Sequence, residues 1–197
     1  MTAATTIILA SRSPYRAELL QRLIPSFSQR PADVDESLLS GERPEDYVDR
    51  LSHRKAEAIA HHESHPCLVI GSDQAAVLDG EILGKPGSLK RGIEMLSRAA
   101  GREVTFYTGL HMLDTVSGQS FNYRDLTRVH FRDFSAETAK RYLQREPALD
   151  CAGGFRCEGL GINLFEAIDN QDPTALIGLP LIAVARGLRS LGFDPLQ

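Results

Sequence analysis

The chain has 197 residues, 42% hydrophobic and 24% charged, proportions that suit one globular domain, or two closely packed lobes, with a sizeable core. Its 22 basic and 26 acidic residues leave a net charge of −4, which argues against a grip on a nucleic-acid polymer, since that needs clustered positive charge. No apolar run is long enough to span a membrane, and the start, MTAATTIILASRS, lacks the basic region of a secretion leader.

Thr6 to Ala10 reads as a short buried strand. Ser11-Arg12-Ser13 follows as a loop, and Pro14 opens a helix capped by Ser13. Phe27 to Arg30 suits a second short strand, and residues 31–44 form a polar loop with Asp33, Asp35 and Glu36. A longer helix runs from Pro44 to about His62, with Tyr47, Val48, Leu51, Lys55, Ala58 and Ile59 at helical spacing. Cys67 to Gly71 is the clearest buried strand, with Asp73 just past its end. Asp79-Gly80 marks a hairpin, and Leu89 to Ala100 a helix. Glu103 to Leu113 and Gln119 to Phe131 read as two long strands. A helix from Ser135 to Gln144, a glycine-rich stretch from Gly153 to Gly161, a strand from Ile162 to Ile168 and a last helix from Pro180 to Leu191 complete the chain. Helices between strands, plus a long hairpin, indicate an α/β fold with a mixed sheet.

Three cysteines at irregular spacing, Cys67, Cys151 and Cys157, suit reduced thiols in the cytoplasm better than a disulfide frame or a zinc site. There is no Gly-x-x-x-x-Gly-Lys-Ser/Thr loop and no arrangement of a nucleophile with histidine, which excludes a P-loop enzyme. Three clusters remain. Ser11, Ser13 and Arg16 lie where a strand runs into a helix N-terminus, which suits an anion or, equally, a plain helix cap. Asp33, Asp35 and Glu36 are either solvated charges before a helix or oxygen ligands for a hard cation. Asp73, past a strand end, and Lys85, between Gly84 and Pro86, suit a ligand site or a capped turn and a solvated lysine. Lys55, in mid-helix, has the bland reading of a surface charge.

Taken together the clusters resemble the Maf family of nucleotide pyrophosphatases. The matching pieces are Leu9 to Arg16, Asp33-Val34-Asp35-Glu36, Lys55-Ala56, Gly71-Ser72-Asp73-Gln74, Gly84-Lys85-Pro86, Tyr107-Thr108-Gly109, Cys151-Ala152-Gly153, Glu158-Gly159 and Gly178-Leu179-Pro180-Leu181. The resemblance implies a single domain over residues 1–197, built as two packed lobes. Its fold would be an elongated, twisted mixed sheet flanked by helices, with a central cleft, similar to the inosine triphosphate pyrophosphatases. It implies hydrolysis of a nucleoside triphosphate to the monophosphate and pyrophosphate with a divalent metal, Mg2+ or Mn2+. Ser11, Arg16, Lys55 and Lys85 would grip the triphosphate. Glu36 and Asp73 would hold metal and water, with Asp73 the proton acceptor. Tyr15, Gln74 and Glu158 match the positions that set base preference, and they look like the branch acting on 7-methyl-GTP. That branch more usually carries Trp where Tyr15 stands; Tyr keeps an aromatic face for a cationic methylated base. The partner is then a small nucleotide, with neither nucleic acid nor membrane, and a homodimer is left open. The alternatives are the dTTP and UTP branch, or a nucleotide-binding regulator of cell division and septum formation.

Overall fold

The computed structural model describes residues 6–197; residues 1–5, where the reading of the start as leaderless begins, lie outside the described residues. In chain order the elements are β1 (Thr6–Leu9), α1 (Pro14–Gln21), β2 (Ser28–Gln29), α2 (Pro44–Ala60), β3 (Cys67–Leu78), β4 (Glu81–Leu83), α3 (Leu89–Ala99), β5 (Glu103–Asp114), β6 (Ser120–Phe131), α4 (Ala136–Arg145), β7 (Phe165–Asp169) and α5 (Leu181–Ser190). The strands join in the order β2-β1-β3-β5-β6-β7, with β4 on β3. β1 runs parallel to β2 and β3, whereas β3–β4 and β6–β7 are antiparallel, so the sheet is mixed. Among the described residues no helix is long and apolar enough to cross a membrane.

The chain forms two compact units, one from Met1–Asp73, Thr108–Asp125 and Asp172–Gln197, the other from Gln74–Tyr107 and Leu126–Gln171. In the first unit the pleat of β1 divides its side chains between two faces. Ile7 and Leu9 join Leu68 and Ile70 of β3 in a cluster with Leu19 and Leu20 of α1 and Val184 and Leu188 of α5. Ile8, Ala10 and Val69 face the other way, against Ala56 of α2. Both faces are covered, which is why these strands read as unbroken apolar runs. Helix α2 sits very close to the sheet. A Cβ on Gly71 would lie 2.1 Å from the Ser52 carbonyl oxygen, and one on Gly109 would lie 2.5 Å from that of Val48. Only glycine permits this approach.

The second unit opens with the β3–β4 hairpin. Asp79 and Gly80 both take positive φ, 52° and 81°, as a two-residue turn of the primed kind requires. Phe106, Phe131, Phe155 and Phe165 form an edge-to-face cluster with ring centres 4.9 to 5.5 Å apart, and α3 and α4 pack through Gly92 against Leu143.

Two boundaries differ from the sequence expectation by more than a residue or two. β3 continues through Asp73 to Leu78 instead of ending at Gly71, because its later residues gain a new partner in β4. β7 begins at Phe165, and Leu160–Leu164 winds as a tight 3-10 turn. A Cβ on Gly161 would lie 2.3 Å from the Arg156 carbonyl oxygen, so this turn packs tightly on the backbone that precedes it.

Candidate active site

The parallel register of β1 with β3 ends at Leu9 opposite Ile70. Just beyond it the two strands deliver Ser11 and the pair Ser72-Asp73. Ser11 is buried, and its Oγ accepts the Ser13 N–H at 3.1 Å. Ser13 in turn caps α1, its Oγ accepting the Arg16 N–H at 3.4 Å, with Pro14 at the first helical position. The Arg16 side chain then reaches back over the strand end. Its Nε donates to the Gly178 carbonyl at 2.8 Å and its Nη1 to the Ser72 carbonyl at 2.8 Å. Ser72 Oγ donates to the same Gly178 oxygen at 3.0 Å. Burial pulls the Arg16 guanidinium down from its usual range, while the charges of Asp73 and Glu36 push it back up; it stays a cation at any working pH. Two backbone carbonyls thus fix the guanidinium as a pre-oriented, charged donor suited to an anion.

The Gly178 carbonyl is itself held. Asp172, buried, accepts the Thr174 hydroxyl at 2.7 Å and the Ile182 and Ala183 N–H groups at 2.7 and 3.3 Å. It thereby caps α5 and closes the loop that contains Gly178. Gly178 takes φ 124°, a conformation L side chains avoid.

Lys55 is not a surface charge. Its side chain is 8% exposed and its Nζ lies 2.5 Å from Asp73 Oδ1 and 2.7 Å from Glu36 Oε1. The close seating of α2 on Gly71 brings the ammonium to the strand, since Ser52 and Ala56 are the residues that touch Gly71. Asp73 is almost as enclosed, at 10%, whereas Glu36 is 56% exposed. Asp33 and Asp35 of the same acidic loop are exposed; Asp35 accepts the Ser37 N–H at 2.9 Å, which holds its carboxyl below the ordinary range.

Because they share one ammonium, the Glu36 and Asp73 oxygens are separated by no more than the sum of 2.5 and 2.7 Å. No cluster of three or more His, Cys, Asp or Glu suited to a metal occurs among the described residues. Two neighbouring carboxylates fit a hard cation of the magnesium kind, which takes one or two carboxylates and completes its shell with water and substrate phosphate.

The remaining sequence-predicted residues are placed as follows. Tyr15, in the first turn of α1, is half-buried. Gln74 is the one half-buried residue of an otherwise buried β3. It begins the second unit, which also carries Lys85 and Glu158. Lys85 is exposed while Pro86 beside it is buried. Glu158 lies 3.4 Å from Arg156 Nε and 3.6 Å from the Cys157 sulfur. Burial and the Glu158 charge push the Cys157 thiol up to about 12, so that it stays protonated.

The model of the Maf-like protein family matches residues 6–191. This chain belongs to the Maf family. Among related proteins, it is 50% identical over 188 residues to the 7-methyl-GTP pyrophosphatase of Xanthomonas campestris pv. campestris strain 8004, covering 95% of this chain and 97% of that protein. It is 48% identical over 189 residues to the 7-methyl-GTP pyrophosphatase of Pseudomonas aeruginosa, again covering 95% and 97%. Among solved structures, the Staphylococcus aureus Ham1 protein aligns with a TM-score of 0.45 at 18% identity, over 66% of this chain and 73% of that one.

Within this Maf chain, sequence reading missed the groups that act through their backbone. The Ser72 and Gly178 carbonyls carry no side-chain signature, and the Gly178-Leu179-Pro180 segment entered only as part of the family pattern. Asp172 and Tyr47 were also missed. Asp172 had a readable signal, an aspartate two residues before Thr174 and ahead of an apolar helix. Tyr47 had none beyond its place on the helix.

Proposed function

We propose that this protein is a cytoplasmic, divalent-metal-dependent nucleoside triphosphate pyrophosphatase that converts 7-methyl-GTP to 7-methyl-GMP and pyrophosphate. The observation that carries the reading is the Lys55 ammonium lodged between Glu36 and Asp73, beside the anchored guanidinium of Arg16. Two carboxylates for a cation and two cations for phosphate meet just beyond the end of β1, which is what a metal-bound triphosphate requires. The substrate is taken from the relatives in Xanthomonas and Pseudomonas, which bear the name 7-methyl-GTP pyrophosphatase.

Ser11, Arg16 and Lys55 bind the triphosphate oxygens, and we assign Lys85 the same role. Arg16 arrives pre-oriented by its two carbonyl partners, so little side-chain entropy is lost on binding. Glu36 and Asp73 would hold the divalent ion, which when bound lowers the pKa of water and polarises a phosphoryl oxygen. Asp73 accepts the proton of the attacking water. The water oxygen bonds to the α-phosphorus, the bond from that phosphorus to the α,β-bridging oxygen breaks, and pyrophosphate leaves with the bonding electrons. Tyr15 would offer an aromatic face to the cationic base, a contact of about 0.5–2 kcal/mol. Glu158 would accept the N1–H and the exocyclic amine of guanine, with Gln74 adding an amide contact.

A product-resolved panel of 7-methyl-GTP, dTTP, UTP and ITP with Mg2+ tests the reading. The expected result is release of pyrophosphate, fastest from 7-methyl-GTP and abolished by a chelator. Orthophosphate as the first product, or no turnover of any member, refutes it. Exchanging Glu158 for Gln together with Gln74 for Thr should move preference toward pyrimidines; an unchanged order removes these residues from base choice.

A further inference from the structure

The loop that carries Glu36 has no helix or strand between Gln29 and Pro44, yet three successive carbonyls in it are taken by side chains from α2. Arg54 Nη1 donates to the Asp35 carbonyl at 3.4 Å. The Tyr47 hydroxyl donates to the Glu36 carbonyl at 3.0 Å. Arg50 Nη2 donates to the Ser37 carbonyl at 3.0 Å. Positions 47, 50 and 54 are three and four apart, so they share one face of the helix. Arg50 also clasps Glu42 farther along the loop, through Nε at 2.5 Å and Nη2 at 2.7 Å. Glu42 accepts the Leu39 N–H at 3.1 Å, and the Arg50 guanidinium lies over the Tyr47 ring, 5.6 Å from its centre.

The need for such a device follows from exposure. Asp73 is fixed by the sheet, but Glu36 is an exposed side chain on a loop that no ladder holds. A carboxylate left free there would sample many positions, and each ordering on cation binding would cost conformational entropy. We propose that Tyr47, Arg50 and Arg54 are positioning residues that hold the Glu36 backbone in register with Asp73. Helix α2 thus supplies both the Lys55 cation and the frame for its second carboxylate. The inference rests on the pyrophosphatase reading for its catalytic consequence, though not for the contacts themselves. Tyr47 is the sharpest probe, because its hydroxyl meets the Glu36 carbonyl directly.

The test is a double-mutant cycle of Tyr47→Phe with Glu36→Gln, read as the Mg2+ concentration giving half-maximal hydrolysis. Tyr47→Phe keeps the ring and removes one hydroxyl. The expected result is a rise of about tenfold in half-saturating Mg2+, as for loss of a group that orients a metal ligand, with kcat at saturating Mg2+ nearly unchanged. In the Glu36→Gln background Tyr47→Phe should add no further shift. A shift of equal size in both backgrounds, or no shift at all, overturns the proposal, since a merely stabilising tyrosine would act independently of Glu36. Amide hydrogen exchange over residues 36–42 supplies the second readout. Faster exchange there in Tyr47→Phe and in Arg50→Lys supports the clamp, and unchanged exchange overturns it. If the wild type hydrolyses no nucleotide, the pyrophosphatase reading fails while hydrogen exchange still decides the clamp.

Discussion

Replacing Gly71 by alanine joins packing to chemistry in one residue. Its new Cβ would stand 2.1 Å from the Ser52 carbonyl oxygen and 2.9 Å from the Ala56 nitrogen. Both are backbone atoms of α2, so no side chain can swing aside to relieve the contact. Helix and strand must part by about 1 Å to restore ordinary van der Waals separation. Overpacking of this kind costs about 1–3 kcal/mol, which in a chain of this size lowers Tm by roughly 2–12 °C. The same displacement carries Lys55 away from Asp73, now 2.5 Å distant, and breaks the hydrogen bond. A misplacement of that order in a catalytic group costs about 10²-fold in rate. Thermal unfolding and kcat/KM for 7-methyl-GTP, measured together, check both parts. A variant with wild-type Tm and wild-type rate refutes the argument that α2 is seated on Gly71. A lowered Tm with an undiminished rate refutes the link from seating to site.

Three further outcomes are expected. Asp73→Asn should retain the fold, because the amide oxygen still accepts from Lys55, yet lower kcat by about 10²–10⁴, the usual worth of a general base; a wild-type rate would remove Asp73 as proton acceptor. Gly178→Ala must hold φ near 124° and place a Cβ 3.4 Å from Arg16 Nε. It should lose about 1–3 kcal/mol of stability and raise KM for the triphosphate, and an unchanged Tm and KM would contradict the anchoring of Arg16 by this loop. His111 is buried, with His53 4.3 Å from it between ring centres and Asn122 Oδ1 2.6 Å from its Nδ1, and burial holds its imidazole below the usual 6.5. Below that pH the unfolded chain therefore binds a proton that the folded chain refuses, so stability falls as pH drops from about 6.5 toward the folded-state value. The Tm difference between wild type and His111→Gln should shift in favour of the variant over that window, and a difference independent of pH would show that His111 does not titrate this way.

Much of the local structure was legible because it rests on local rules. Ser13-Pro14 marks a helix start through the capping hydroxyl and the fixed proline φ. Asp79-Gly80 marks its hairpin through the positive φ that both residues adopt. The apolar run from Leu68 to Ile70 marks a strand buried on both faces. The end of β3 was not legible, because whether the chain continues extended past Gly71 depends on β4 returning beside it. Lys55 was misjudged by the bland reading for a related reason. Its helix spacing says nothing about how near the strand lies, and that distance is decided by the absence of a Cβ at Gly71 and Gly109.

What the sequence determined by itself was the chemical inventory and its order: a serine and arginine after the first strand, an acidic loop, a helix lysine and an aspartate just past the apolar run of the main buried strand. Such an order suffices to place the chain in the Maf family. Only the tertiary structure decided which of those charges meet. It joined Glu36 and Asp73 through Lys55, fastened Arg16 to the carbonyls of Ser72 and Gly178, and tied the Glu36 loop to Tyr47, Arg50 and Arg54. The physical reason is that convergence depends on backbone positions far apart in the chain. Carbonyl acceptors and missing Cβ atoms govern those positions; a glycine is visible in the sequence, but the backbone that comes to lie against it is not.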